Sequence, residues 1–416
     1  MRLTARHTIL FIFILICMLP AGSRALQPNM MLGATADGTT SAILPCTSAG
    51  FSVERTLTLT GFTDARMLRV NATTRAGNGG IGYVVGGNGD LAQIWLAAFD
   101  MDTLGLLGTY IIQPAGGGAF GPYSNNGRYV GVTRGNDLFV FVQNRQLGFG
   151  GSCTIAGRCA SLLNFTGTTF NGVGTDTATE LSTIDDGKFI SASTILITDA
   201  SAAGFRKATL WSASSLTKLG SGAPIGSSGF TLLSRSVGGY NYMAVAGATP
   251  NMYRLPVGST TFDATTTVTY GGGRIAEAIF AFNNDTGLIA TETNYNGGFL
   301  GLRNFMTAPG MIDGGNAATY VVGDQSAAYQ STFWDSINSK VYTVRADGGA
   351  GLSTNIIRTD ALAAIEQRFS CGTCVVNGSQ GMQMADFNEN MARLYLVNNA
   401  NPPVVNKIKV CATGGP

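Results

Sequence analysis

The chain has 416 residues with 26 Lys and Arg, 24 Asp and Glu and a single His. Charged residues make up only 12% of it, about half the ~25% usual for soluble domains. A near-neutral chain without basic runs argues against nucleic acid and anionic membranes as partners. The one histidine, His7, lies in a segment read below as removable. That excludes Ser-His-Asp and Cys-His catalysis and the usual histidine zinc sites.

Residues 1–25 read as a secretory signal peptide: Arg2 and Arg6, the apolar run TILFIFILICML (8–19), Pro20, and small residues Ser23 and Ala25 at the −3 and −1 positions of a cleavage point. Twelve residues of helix rise only about 18 Å, short of a ~30 Å hydrocarbon core. No later stretch is long and apolar enough to span a bilayer. Removal takes three of the 26 basic residues, so 23 basic face 24 acidic ones. The expected product is secreted, needs no cofactor and carries no metal.

Residues 26–50 form an N-terminal segment, 51–411 the main domain and 412–416 a short tail. With Cys17 removed, six cysteines remain, and fifteen pairings are open to them. Sequence proximity favours Cys153 with Cys159 and Cys371 with Cys374, leaving Cys46 to join Cys411. The C-G-T-C at 371–374 has no thioredoxin-like βαβ pattern around it, so it reads as a loop staple. Acceptor sequons for N-glycosylation stand at Asn71, Asn164, Asn284 and Asn377.

The main domain is a series of short apolar strands punctuated by Gly, Asn and Asp turns. Turns at 78–80, 125–127, 185–187, 238–239, 284–287, 338–339 and 388–390 recur roughly every fifty residues. Each is followed by a strand (IGYVV, RYVGV, FISAST, YMAVAG, LIATET, KVYTV, RLYLV) and then by a second (QIWLAAF, DLFVFV, ATLWSA, NMYRL, FLGLR, NIIRTD, NKIKV). Each unit has room for four strands. The last unit runs out after its third, and ERTLTLT (54–60), ahead of the first unit, is free to supply the fourth. Such a pairing removes two exposed sheet edges.

These units resemble β-propeller blades. FWDSINSKVYTV (333–344) and ADFNENMARLYLV (385–397) are most similar to the generic aromatic-Asp-turn-strand blade. The sialidase S-x-D-x-G-x-T-W box, the WD-repeat G-H…W-D pair and the kelch Gly-Gly doublet are not repeated. The resemblance implies an all-β, seven-bladed β-propeller of four-stranded antiparallel blades, closed by pairing of its N- and C-terminal strands. It carries no function with it.

In such a ring the innermost strands line a channel. The polar residues expected there are Glu180, Arg274, Glu277, Gln330 and Gln383. Glu180 and Glu277 are the catalytic candidates, since paired carboxylates are what glycosidic cleavage needs. Asp386-Phe387-Asn388-Glu389-Asn390 opens like a calcium loop, but Met391 and Val397 stand where an EF-hand needs Gly and Glu. It reads as a turn, as does Asp185-Asp186-Gly187. Tyr123, Tyr240, Tyr242 and Tyr295, with Asn294 and Asn296, are candidates for a sugar-binding face.

The leading expectation is a secreted, non-catalytic propeller acting as a binding or structural module for protein or glycan partners. A carbohydrate-active enzyme working through channel carboxylates is the first alternative. The second is a self-assembling extracellular subunit, suggested by a mean hydropathy of +0.18.

Overall fold

A computed structural model describes residues 46–47, 51–89, 91–113, 129–142, 160–176, 183–200, 206–225, 231–233, 238–245, 251–267, 276–281, 286–292, 299–306, 312–321, 327–335, 337–338, 340–347, 354–360, 365–371, 374, 383–398, 400–410 and 412–413. The proposed signal peptide and the rest of the first 45 residues lie outside them.

All regular elements among the described residues are strands. β1 (Cys46–Thr47) and β2 (Ser52–Thr58) precede the repeats. Blade one is β3 (Met67–Val70), β4 (Ile81–Asn88), β5 (Gln93–Asp100) and β6 (Leu106–Gln113). Blade two is β7 (Tyr129–Arg134), β8 (Asp137–Val142), β9 (Ala160–Thr166) and β10 (Thr169–Asp176). Blade three is β11 (Thr183–Phe189), β12 (Thr194–Ala200), β13 (Arg206–Ser212) and β14 (Lys218–Ser221). Blade four is β15 (Thr231–Leu233), β16 (Tyr240–Val245), β17 (Asn251–Pro256) and β18 (Ala264–Thr267). Blade five is β19 (Ala276–Ala281), β20 (Thr286–Glu292), β21 (Phe299–Met306) and β22 (Ile312–Val321). Blade six is β23 (Ala327–Asp335), β24 (Lys340–Asp347), β25 (Thr354–Asp360) and β26 (Ile365–Cys371). Blade seven is β27 (Ala385–Asn388), β28 (Arg393–Val397) and β29 (Val404–Lys409), completed by β2; β30 (Ala412–Thr413) pairs with β1.

Each blade is an antiparallel meander of neighbouring strands, and the first strands touch in cyclic order: β3, β7, β11, β15, β19, β23, β27 and back to β3. The ring is closed by β2, whose Ser52 to Thr58 pair antiparallel with Lys409 to Val404. One polypeptide end thus supplies the outer strand of the blade built by the other. Beside this joint, β1 sets Cys46 opposite Thr413. Cys411 lies outside the described residues.

The core is distributed between blades, which explains the apolar strand patterns. Middle strands are buried on both faces, so DLFVFV (β8) and RLYLV (β28) are near-continuous apolar runs. Outer strands alternate or stand open, as in KLGS (β14) and SVERTLT (β2). Val130, Phe139 and Phe141 of blade two pack on Ile195, Ile197 and Trp211 of blade three. Tyr342 of blade six meets Phe387 of blade seven, ring centroids 5.2 Å apart.

Two units of the repeat are corrected. In blade two the hairpin turn between first and second strands is 134–137, not 125–127, so RYVGV is the innermost strand and DLFVFV the second. In blade three, Asp185-Asp186-Gly187 is no turn. It lies inside β11, where the register shifts between Ile184 and Asp186, as two residues face one in a bulge. The chain reverses later, over 190–193.

Candidate functional site

The channel wall is built from the inner strands, whose axial edges have no partner within their own sheets. Between blades seven, one and two, main-chain and side-chain groups of other blades satisfy those edges. The Gln383 carbonyl accepts the Leu68 N–H at 2.6 Å, and its Oε1 accepts the Gly131 N–H at 2.9 Å. Asp386 Oδ2 accepts the Val70 N–H at 2.9 Å, and Oδ1 accepts the Phe387 N–H at 3.0 Å. Arg69 lies 3.7 Å from Asp386 and donates from Nε to the Gly131 carbonyl at 2.9 Å. Blade seven thereby holds blade one, and blade one holds blade two.

This closeness requires small residues. A Cβ on Gly131 would stand 2.6 Å from Met67 Sδ and 2.8 Å from Arg69 Cγ. Burial pushes the Asp386 carboxyl up, while Arg69, the Val70 and Phe387 amides and Lys188 act in the opposite direction. The carboxylate is engaged on both oxygens, as a clamp.

A second ring of clamps lies where first strands turn into second strands. Asn136 of blade two accepts from Asn71 Nδ2 at 3.0 Å and from the Ile81 N–H at 3.1 Å, and donates to the Gly79 carbonyl at 3.1 Å. Asn388 of blade seven donates to the Asn71 and Thr74 carbonyls of blade one at 2.6 and 3.0 Å. Glu389 accepts the Ile337 N–H of blade six at 3.1 Å. Asx side chains serve here because they pair with backbone as readily as a strand does.

Two buried carboxyls stand out. Asp199 lies opposite Lys207 across β12 and β13 and accepts from Thr209 Oγ1 at 3.0 Å. Burial pushes it up to about 7, against the pull of Lys207 and Thr209. Asp335, at the end of β23, is pushed up to about 6, first by burial and then by the charge of Glu389, despite its Asn338 donors. Shifted carboxyls mark many active sites. These two are enclosed between strands instead, with Asp335 fully buried.

The sequence-predicted residues divide as follows. Gln383 is at the channel wall. Glu277 falls at the irregularity in β19 between Ala276 and Ala278, and Gln330 sits in β23 opposite Arg345. Glu180, Arg274, Tyr295, Tyr123, Asn294 and Asn296 lie outside the described residues. Two members of the proposed tyrosine face are among the described residues. Tyr242 is buried, and the Tyr240 ring carries the Arg254 guanidinium 4.5 Å from its centroid. That Arg254 is also forked onto Asp263 at 2.9 and 3.1 Å, so the Tyr240 face is already occupied.

Asn71 and Asn164 are buried, at 7% and 8% exposure, and each side-chain amide nitrogen donates within the fold. Such burial counts against a glycan at either position. Asn284, Asn377, Cys153 and Cys159 lie outside the described residues. Cys371 and Cys374 are joined by a disulfide and are buried in the core of blades six and seven. No three His, Cys, Asp or Glu side chains converge among the described residues.

Sequence reasoning missed Arg69 altogether and placed Asp386 in a turn rather than at the channel. Asp386 contacts blade one 316 residues away in sequence, and no local pattern announces such a pairing. An alignment of the blade-six and blade-seven motifs does place it one residue before the strand's last aromatic.

No family model matches the sequence, and no curated protein does. Solved structures do match. The Neurospora crassa Pan2 WD40 domain superposes with a TM-score of 0.53 at 9% identity, covering 90% of this chain and 98% of that one. The Myceliophteria thermophila Cps50 (Swd1) β-propeller domain gives 0.54 at 9% identity, over 86% of this chain and 99% of that one. At such identities the likeness is one of fold. The chain has a WD40-type β-propeller fold, reached without the G-H…W-D pair in its sequence.

Proposed function

We propose that this chain is a secreted, non-catalytic propeller that serves as a binding and structural module for a protein or glycan partner outside the cell. The observation that carries this reading is the use made of the channel's polar groups. Asp386, Arg69 and Gln383 are spent on joining blades, so this part of the wall is framework rather than reaction machinery. The WD40-type fold, commonly a platform for protein partners, supports the same reading. The basic-apolar-small pattern of residues 1–25 supports secretion.

The test is expression of the full chain in a secreting eukaryotic cell, with N-terminal sequencing of the medium. The recovered protein then goes onto glycan and ectodomain arrays beside a panel of chromogenic glycosides. A product beginning near Leu26 that binds without turnover is expected. Retention of the uncleaved chain overturns the secreted role. Turnover lost in Glu180→Gln or Glu277→Gln overturns the non-catalytic one.

A further inference from the structure

Among the described residues the outermost strand of every blade has one unpaired edge, and an unguarded edge recruits another strand. Most edges of this ring are guarded. β2 carries Glu54 and Arg55, and β26 carries Glu366 and Arg368. β14 and β18 are four residues long. β10 is broken by a bulge at Phe170–Gly172 and contains Gly174, and β22 carries Asp313, Gly314, Gly315 and two register shifts.

β6 differs. Its eight residues, LLGTYIIQ, include no charge and no proline. Leu106, Leu107 and Ile111 are 50, 47 and 43% exposed, three of the seven exposed large hydrophobics among the described residues. Its two register shifts fall near the ends, leaving Gly108–Tyr110 regularly paired to β5. We propose that β6 is a self-association edge, which pairs antiparallel with β6 of a second copy of this chain about a twofold axis.

A second copy fits for two reasons. About a twofold, identical edges meet with N–H facing C=O along the joint, and an uncharged strand meets itself without the repulsion that a charged edge would bring. The charges beside the strand set the direction. Asp100 and Asp102 precede its start. Antiparallel pairing sends them to opposite ends of the joint, roughly 25 Å apart, well beyond the Debye length at physiological salt. A parallel joint would bring them together. One strand pair and its flanking leucines bury less than the ~1,200 Å² of a standard interface, so the dimer is of about micromolar strength.

Sedimentation velocity of the full chain over about 1 to 200 μM tests this. Thr109 is exposed in mid-strand, and Thr109→Lys and Thr109→Glu each put like charges on both edges. Wild type is expected to dimerise with concentration, and each variant alone to dimerise at least ~10-fold more weakly. A mixture of the Lys and Glu variants should recover the dimer. Leu219→Lys, on the short β14, should change nothing. Melting curves matched to wild type establish that the variants are folded. A wild type monomeric at the highest concentration, or a dimer indifferent to both Thr109 variants, overturns the proposal.

Discussion

Blades six and seven solve the same local problem with two different side chains. The inner strand of blade six ends on Trp334-Asp335, that of blade seven on Phe387-Asn388, and each is followed seven residues on by a buried tyrosine, Tyr342 or Tyr395. In both, the first oxygen caps the turn: Asp335 Oδ1 accepts the Asn338 N–H at 3.0 Å, and Asn388 Oδ1 accepts the Met391 N–H at 2.7 Å. The second atom separates them. Asp335 Oδ2 stays within its blade, accepting from Asn338 Nδ2 at 2.8 Å and Tyr342 at 3.4 Å. Asn388 Nδ2 reaches across to two carbonyls of blade one, as Tyr395 does to the Met101 carbonyl at 2.9 Å. A carboxylate only accepts, whereas an amide accepts and donates. The amide therefore stands at the joint where the two ends of the chain close the ring.

Asn388→Asp breaks this distinction most severely. It replaces a donor with an anion facing the Asn71 and Thr74 carbonyls, in a fully buried site. A loss of about 3–5 kcal/mol is expected at pH 8, from two orphaned carbonyls and an unpaired buried charge. Part of it should return at pH 4.5, where a protonated carboxyl donates one hydrogen bond. Urea midpoints at the two pH values measure both. A variant as stable as wild type at pH 8 would show that Asn388 closes nothing.

Asp335→Asn makes the converse change, giving blade six the residue of blade seven. The folded carboxyl titrates near 6, against about 3.9 in an unfolded chain. The folded state therefore holds its proton more tightly. The stability this contributes is fully present below about pH 4 and is lost as pH rises towards 6, a decline of up to ~3 kcal/mol. An asparagine accepts the Asn338 N–H without titrating, and Asn338 turns its own amide to match. The variant should equal wild type near pH 4 and exceed it by about 1–3 kcal/mol at pH 8. A variant less stable than wild type at pH 8 would mean the charge is worth its burial. Asp199, raised to about 7, adds a decline of the same sign over a window reaching neutral pH.

The contrast between these blades also marks how far the sequence is readable. Blades six and seven are plain because aromatic, Asx and tyrosine recur at fixed offsets, and an Asx cap is a local device. The ring closure is plain because a strand is missing at one end and spare at the other. Blades two and three misled because N-N-G, R-G-N-D and D-D-G are chemically alike, and which of them turns the chain depends on burial of the flanking strands. Of the channel clamps only Gln383 was legible, as a polar residue near a channel; Asp386 read as part of a turn and Arg69 carried no signal. Their partners are set by ring geometry, with Gln383 and Gly131 lying 252 residues apart.

The finest test concerns Glu389, an acidic side chain that links the two turns. Its Oε1 accepts the Ile337 N–H of blade six at 3.1 Å, and its charge helps to push Asp335 up. Glu389→Gln keeps the acceptor and removes the charge. Burial, the first cause of the Asp335 shift, is untouched, so the carboxyl should titrate only slightly lower, worth under ~1 kcal/mol. Carbon-detected NMR titration of the Asp335 carboxyl reads this directly, and the melting temperature at pH 8 should barely move. A fall to the ordinary carboxylate range would make the neighbouring charge, rather than burial, the cause of the shift. In that case Asp335→Asn and Glu389→Gln would give equal stability at pH 8, whereas a burial-driven shift separates them by most of the Asp335 effect.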